Sequence, residues 1–161
     1  MAGVRKEEFP PLLDVGFHRM NVESLRRLCV TRFSASITRP AIMGNLVTLI
    51  ELINQKVIVG EIWIDGSFLT EKLNPDDVDL LLIVKADTFR AFTAEQRRFF
   101  DWYRKSRLFE QYKCDNYAQI VESGESASDW LSAYWLRQFG FSRANEMKGL
   151  AVIDVPFLVM P

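Results

Sequence analysis

The chain has 161 residues, 48% of them hydrophobic and 25% charged, with a formal net charge of −1. That size allows a sizeable buried core and fits one domain over residues 1–161, and the composition excludes a disordered chain. A net charge so near zero gives no global attraction to nucleic acid or to a membrane surface. No apolar run reaches the ~18 residues that a membrane span needs, and no secretory pattern stands at the N-terminus, so a cytoplasmic protein is expected. Cys29 and Cys114 match no zinc spacing and read as reduced, buried thiols. The single histidine, His18, excludes a His-rich metal site and reads as a packed or turn residue.

Residues 1–17 read as an extended N-terminal arm, because Phe9-Pro10-Pro11 disfavours helix. Asn21 can cap a helix running to about Phe33, with Val22, Leu25, Leu28 and Cys29 on one face. Pro40 suits the first turn of a second helix, to about Asn54, whose apolar stripe is Ile42, Leu46, Leu49, Ile50 and Ile53. The β-branched run Val57–Ile64 predicts a strand, Gly66–Pro75 a loop, and Val78–Val84 a second, fully buried strand. Thr93-Ala94-Glu95-Gln96 is a capping box opening a helix to about Phe109. Lys113–Glu122 predicts a third strand. A helix opening at Ser126 runs through Trp130, Leu131, Tyr134, Trp135 and Phe139 and stops at Gly140. Gly149–Val155 is the last strand. This order implies an α/β (α+β) fold, a sheet with helices packed on it.

The segment from Ile64 to Leu82 carries the chemistry. An apolar strand runs into Gly66-Ser67, and after a nine-residue spacer Asp77-Val78-Asp79 opens the next apolar strand. Side chains at i and i+2 of a strand share a face, so Asp77 and Asp79 project together about 7 Å apart. Two carboxylates so placed repel unless a cation sits between them, and magnesium takes oxygen ligands of this kind. The Gly-Ser turn leaves room for a phosphate and can offer it backbone N–H groups. The alternative is a solvated turn entering an edge strand, which the apolar run Leu80–Val84 argues against. Lys72 in the loop, and Arg143 and Lys148 in the turn after Gly140, are candidate phosphate cations, the equal alternative for the last two being a solvated turn with ordinary surface charges. The basic segment Arg97-Arg98, Arg104-Lys105 and Arg107 reads as a solvated helix face, with RNA contact as the sharper alternative. Phe99, Phe100, Trp102, Tyr103, Trp130, Tyr134 and Trp135 recur at helical spacing and read as core or partner interface rather than a base-stacking platform.

Ile64-Asp65-Gly66-Ser67 with Asp77-Val78-Asp79-Leu80 resembles the signature of the DNA-polymerase-β-like nucleotidyltransferase superfamily. Its pattern is an apolar residue, Gly, Gly or Ser, a spacer, then Asp-apolar-Asp-apolar. With Leu13-Asp14-Val15-Gly16-Phe17-His18, Ser24-Leu25-Arg26-Arg27, Phe139-Gly140-Phe141-Ser142-Arg143 and Lys148-Gly149, nearly the whole chain is similar to small bacterial proteins known only as nucleotidyltransferase-like. The resemblance implies a small mixed β-sheet with flanking helices and a two-ion Mg²⁺ site. It also implies a third carboxylate from a strand beside the Asp-x-Asp strand, for which Asp115, near the start of Lys113–Glu122, is the candidate and Glu122 and Asp154 are weaker ones; the alternative for Asp115 is a strand-entry aspartate with no metal role. Asp77 and Asp79 would hold an ion against the nucleotide's phosphates, and Asp115 would share the second and accept the acceptor's proton. Gly66 and Ser67 would bind a terminal phosphate. The implied reaction moves a nucleoside monophosphate from an NTP to a hydroxyl of a protein or RNA. Small members of the superfamily resemble the antitoxin half of bacterial toxin–antitoxin or phage-defence pairs, and a toxin that modifies tRNA is equally compatible, so a partner protein encoded nearby, or a homodimer through the apolar second helix and the aromatic helices, is an open expectation. The competing readings are a non-catalytic nucleotide-sensing or partner-binding module on the same fold and a domain with no ligand.

Overall fold

The computed structural model describes residues 6–122 and 126–156, the side chains of residues 126–131 excepted. Among these residues there are five strands, β1 (Gly16–Arg19), β2 (Gly60–Asp65), β3 (Val78–Lys85), β4 (Cys114–Val121) and β5 (Gly149–Val155). They form one mixed sheet in the order β1-β5-β2-β3-β4. The β2–β3 and β2–β5 pairs are antiparallel, and β1–β5 and β3–β4 are parallel. The mixed sheet with flanking helices is the expected α+β class.

Six α-helices accompany the sheet among the described residues: α1 (Val22–Arg26), α2 (Arg39–Gln55), α3 (Ala86–Arg90), α4 (Ala94–Lys105), α5 (Leu108–Tyr112) and α6 (Ser126–Phe139). The Asn21 side chain accepts from the Ser24 N–H and starts α1, which continues into a π-helical turn at Arg27–Thr31. The capping box at Thr93 and Gln96 starts α4. Leu46, Leu49, Ile50 and Ile53 of α2 are fully buried in the same core as Ile62, Ile64, Leu80, Leu82 and Val84. This fills one face of the sheet. The other face carries a smaller cluster, in which Phe139 and Trp135 of α6 pack over Trp63, Leu81, Leu150 and Val152. It is on this second, thinly covered face that the polar chemistry lies.

Four local features differ from the sequence reading. The arm ends in a strand: residues 16–19 form β1, held by β5 because Gly149 brings its backbone so near that a Cβ there would lie 2.1 Å from the Asp14 carbonyl. Strand β2 begins at Gly60, because Val57 adopts φ 53° and turns the chain out of α2. Residues 86–90 are helical, and the helix expected to reach Phe109 breaks at Ser106 into α4 and α5. The break is held by Asn116, whose amide donates to the Tyr103 and Ser106 carbonyls (2.6 and 3.0 Å) and accepts from the Leu108 N–H (3.1 Å). The side chains of Trp130 and Leu131, expected along α6, and residues 1–5 of the arm lie outside what is described. Both cysteines are free and buried, as expected, and burial pushes each thiol up to about 12. The His18 ring is tied to the Asp14 carbonyl at 2.6 Å. Among the described residues no helix is long and apolar enough to cross a membrane.

Candidate active site

Strand register assembles the site. Asp65 of β2 pairs with Asp79 of β3, and Asp79 pairs with Asp115 of β4. Residues directly opposite one another on neighbouring strands share a face. Asp65, Asp79 and Asp115 therefore form a row across three strands on the second face, and Asp77, two residues before Asp79, extends it. All four line one cleft of about 1880 Å³. The strand ends that carry them meet at one edge of the sheet because β2 runs opposite to β3 and β4.

The loop between β2 and β3 is held from beneath by a residue that the sequence reading passed over. Arg39, at the start of α2, is fully buried. Its guanidinium donates to the carbonyls of Cys29 (2.9 Å), Phe68 (2.7 Å), Thr70 (2.6 Å) and Lys72 (2.6 Å), and it lies 3.7 Å from the centre of the Phe33 ring. Burial lowers its pKa from the usual guanidinium range. Asn74 adds a second tie by accepting from the Ser36 hydroxyl (3.1 Å) and the Ile37 N–H (2.9 Å). From the other side the N-terminal arm straps the loop: the Leu12 N–H donates to the Leu69 carbonyl and the Glu71 N–H to the Pro10 carbonyl, both at 2.9 Å. The Gly66–Pro75 loop is thus fixed, and Gly66 at φ 88° sets its first turn. A Cβ on Gly66 would meet the Asp79 carboxylate at 2.9 Å, so glycine keeps the space beside that carboxylate open.

The electrostatics are those of crowded anions. Asp79 is pushed up to about 7 by burial first, then by the charges of Asp77, Asp65 and Asp115. Asp77 is raised by burial, then by Asp115 and Asp76. No lysine or arginine pairs directly with Asp77 or Asp79 among the described residues. Asp65 is 3% exposed, and burial pushes it up to about 6 despite its ion pair with Lys148 at 2.6 Å. Its second oxygen is buried and has no hydrogen-bond partner among the described residues. The Tyr117 hydroxyl donates to Asp115 at 2.9 Å; burial, and then this bond, push the phenol up to about 12.

The predicted phosphate cations all line the cleft, in different states of use. Lys148 is committed to Asp65. The Lys72 ammonium lies 3.5 Å from Asp76. Arg143 is exposed and has no ion pair among the described residues. Arg137, which sequence reasoning missed, joins this group: its guanidinium lies 4.6 Å from the Phe141 ring centre and donates to the Asn145 side chain. The weaker carboxylate candidates lie away from the site. Asp154 is paired with Arg19 at 2.5 Å, and Glu122 with Arg90 at 2.6 Å, both toward the opposite end of the sheet.

The donor set suits magnesium in kind, being all oxygen and in excess of cations. Among the described residues no three acidic, histidine or cysteine side chains converge into a ready-made metal cage. Magnesium is ordinarily held by one or two carboxylates with substrate phosphates and water completing the shell, which a row of this kind can supply.

Residues 7–154 match the model of a family of unknown function (DUF6932), and the chain belongs to that family. No curated protein and no solved structure matches the chain.

Proposed function

We propose that this protein is a Mg²⁺-dependent nucleotidyltransferase of the DNA-polymerase-β-like kind, transferring a nucleoside monophosphate from an NTP to an acceptor hydroxyl. The observation that carries the reading is the row Asp65–Asp79–Asp115, extended by Asp77, along one wall of a large cleft beside a rigid Gly-Ser turn. Asp77, Asp79 and Asp115 would hold the metal. When bound, magnesium neutralises charge on the transferring phosphoryl group and on the acceptor oxygen. Ser67, at the turn that Gly66 opens, binds a phosphate oxygen through its hydroxyl and N–H. Arg143 and Arg137, across the cleft, meet further phosphate charge. The acceptor oxygen bonds to the α-phosphorus as the bond from that phosphorus to the pyrophosphate oxygen breaks. Asp115, oriented by Tyr117, takes the hydroxyl proton, and pyrophosphate leaves. Lys148 does not reach substrate in this reading. It holds Asp65, so that the row keeps its shape when the other carboxylates are neutralised.

One observation favours a second reading, a non-catalytic nucleotide-binding module: the carboxylates do not converge on one point. A single experiment separates the two. The protein is incubated with Mg²⁺ and each α-³²P-labelled NTP, with cell RNA and cell protein as acceptors, beside Asp77→Ala and Asp79→Ala. The expected result is label on a discrete RNA or protein band, reduced at least ~10³-fold in either variant. Nucleotide binding without label would select the module.

A further inference from the structure

A second groove, of about 430 Å³, opens beside the cleft at the outer edge of the sheet. Arg104, Lys105 and Arg107 line it, and it shares Phe109 and Asp115 with the main cleft. Strand β4 is an edge strand of the sheet, and among the described residues no further strand closes this side. Residues 97–113 carry six lysines and arginines against two carboxylates, in a chain whose net charge is −1. Lys105 and Arg107 are exposed and make no ion pair among the described residues. Lys113 leans on the exposed Phe109 ring, 5.2 Å from its centre.

The placement of these cations is built rather than incidental. Asn116 spends both amide hydrogens and its oxygen on the Ser106 corner, as described above. That corner is therefore clamped to β4 one residue from Asp115. Arg104 is paired with Asp101 at 3.1 Å and Glu110 also lines the groove, so its available cations are Lys105 and Arg107, with Lys113 beside them. These cations with an exposed aromatic ring, next to a carboxylate placed to accept a hydroxyl proton, suit a polyanion with bases and a terminal hydroxyl.

We infer that the Arg104–Arg107 groove binds the backbone of a single-stranded nucleic acid and delivers its terminal hydroxyl to Asp115. This rests on the nucleotidyltransferase reading for the chemistry but not for the binding. Phosphates lie along Lys105, Arg107 and Lys113, and a base stacks on Phe109. The terminal hydroxyl oxygen then bonds to the α-phosphorus of the NTP, pyrophosphate departs with the bridging oxygen, and the proton passes to Asp115.

The test is fluorescence anisotropy of the full chain with 3′-hydroxyl 12-mer RNA and DNA oligonucleotides labelled at the 5′ end, without nucleotide. Wild type is compared with Lys105→Glu/Arg107→Glu and, as a charge control, Arg26→Glu/Arg27→Glu. Circular dichroism checks that each variant is folded. The groove variant should bind roughly tenfold or more weakly, and the slope of log K against log salt should fall by about 1.4, two phosphate contacts at ~0.7 each. The control should lose much less. Binding of both oligonucleotides supports recognition through the backbone; binding of RNA alone supports it and adds the 2′-hydroxyl. Equal affinity of groove variant and wild type, absence of oligonucleotide binding, or ³²P label passing to protein with RNA ignored would each overturn the inference. Failure of the chemistry shows separately: oligonucleotide binding with no NTP binding would sink the transferase reading and leave the groove standing.

Discussion

Asp79→Asn should make the metal-free protein more stable, and increasingly so as pH rises. An aspartate in an unfolded chain ionises near pH 3.9. In the folded protein Asp79 titrates at about 7, because burial and the charges of Asp77, Asp65 and Asp115 disfavour its anion. Between those values the folded state holds a proton that the unfolded state has lost, so wild-type stability falls with rising pH. At ~1.36 kcal/mol per pKa unit the ceiling on this loss is about 1.5 kcal/mol at pH 5 and about 4 kcal/mol at pH 8. Asparagine removes the titration and also relaxes Asp77 and Asp65, so a gain of ~2 kcal/mol or more at pH 8 is expected. Urea unfolding of both proteins at pH 5 and pH 8, without divalent ions, reads the difference directly. Mg²⁺ with NTP at pH 8 should then stabilise wild type and not the variant, since a ligand of the folded state shifts unfolding by mass action. A variant no more stable than wild type at pH 8, or equally stabilised at both pH values, would refute the electrostatic account of the row.

Three further outcomes follow from the geometry. Arg39→Met should cost about 3 kcal/mol or more in a urea or thermal melt, because it strips four backbone carbonyls of one buried donor; a melt like that of wild type would mean that the loop is held elsewhere. Val57→Gly should stabilise by about 1 kcal/mol, since a β-branched residue at φ 53° bears a left-handed strain that glycine does not, and the Val57 side chain is largely exposed. The urea midpoint should therefore rise. Gly66→Ala should cut NTP affinity in the presence of Mg²⁺, measured by calorimetry, at least tenfold, because the new methyl group falls 2.9 Å from the Asp79 carboxylate and the turn needs φ 88°. Undiminished affinity would place the nucleotide elsewhere in the cleft.

Much of the site is legible in the sequence because local patterns carry it. Apolar runs on both sides of Gly66–Pro75 mark two strands, and their period of two puts Asp77 and Asp79 on one face. Asp115 comes instead from the resemblance, which implies a third carboxylate on a neighbouring strand. What escapes local reading is whatever depends on which strands become neighbours. Asp65 looks like the last residue of an apolar strand, and only its register with Asp79 makes it part of the row. Its partner Lys148 precedes β5, which inserts between β1 and β2, a pairing over some ninety residues that no spacing encodes. Arg39 resembles an ordinary polar residue at a helix start, since the four carbonyls it serves come from two distant stretches of chain. Strand β1 is four residues long and includes glycine, histidine and arginine, so no apolar alternation announces it. The break at Ser106 has no proline or glycine either; it is imposed by the side chain of Asn116.

These two kinds of information do different work at the site. Local pattern places the carboxylates, while long-range pairing sets how much charge they must bear together. The row holds Asp65, Asp77, Asp79 and Asp115, and among the described residues the one cation bonded directly to it is Lys148. Packing could have neutralised the rest with arginine, and a buried arginine is in fact present nearby. Arg39, however, spends its guanidinium on the carbonyls of Cys29 and of the loop and stacks on Phe33, and among the described residues it forms no ion pair with an acid. The fold therefore uses its buried cation to make the loop rigid and leaves Asp77 and Asp79 short of positive charge. An anionic cluster preserved at that cost in stability, beside a turn kept open by Gly66, is what a site needs if it is to draw its compensating charge from a bound ion.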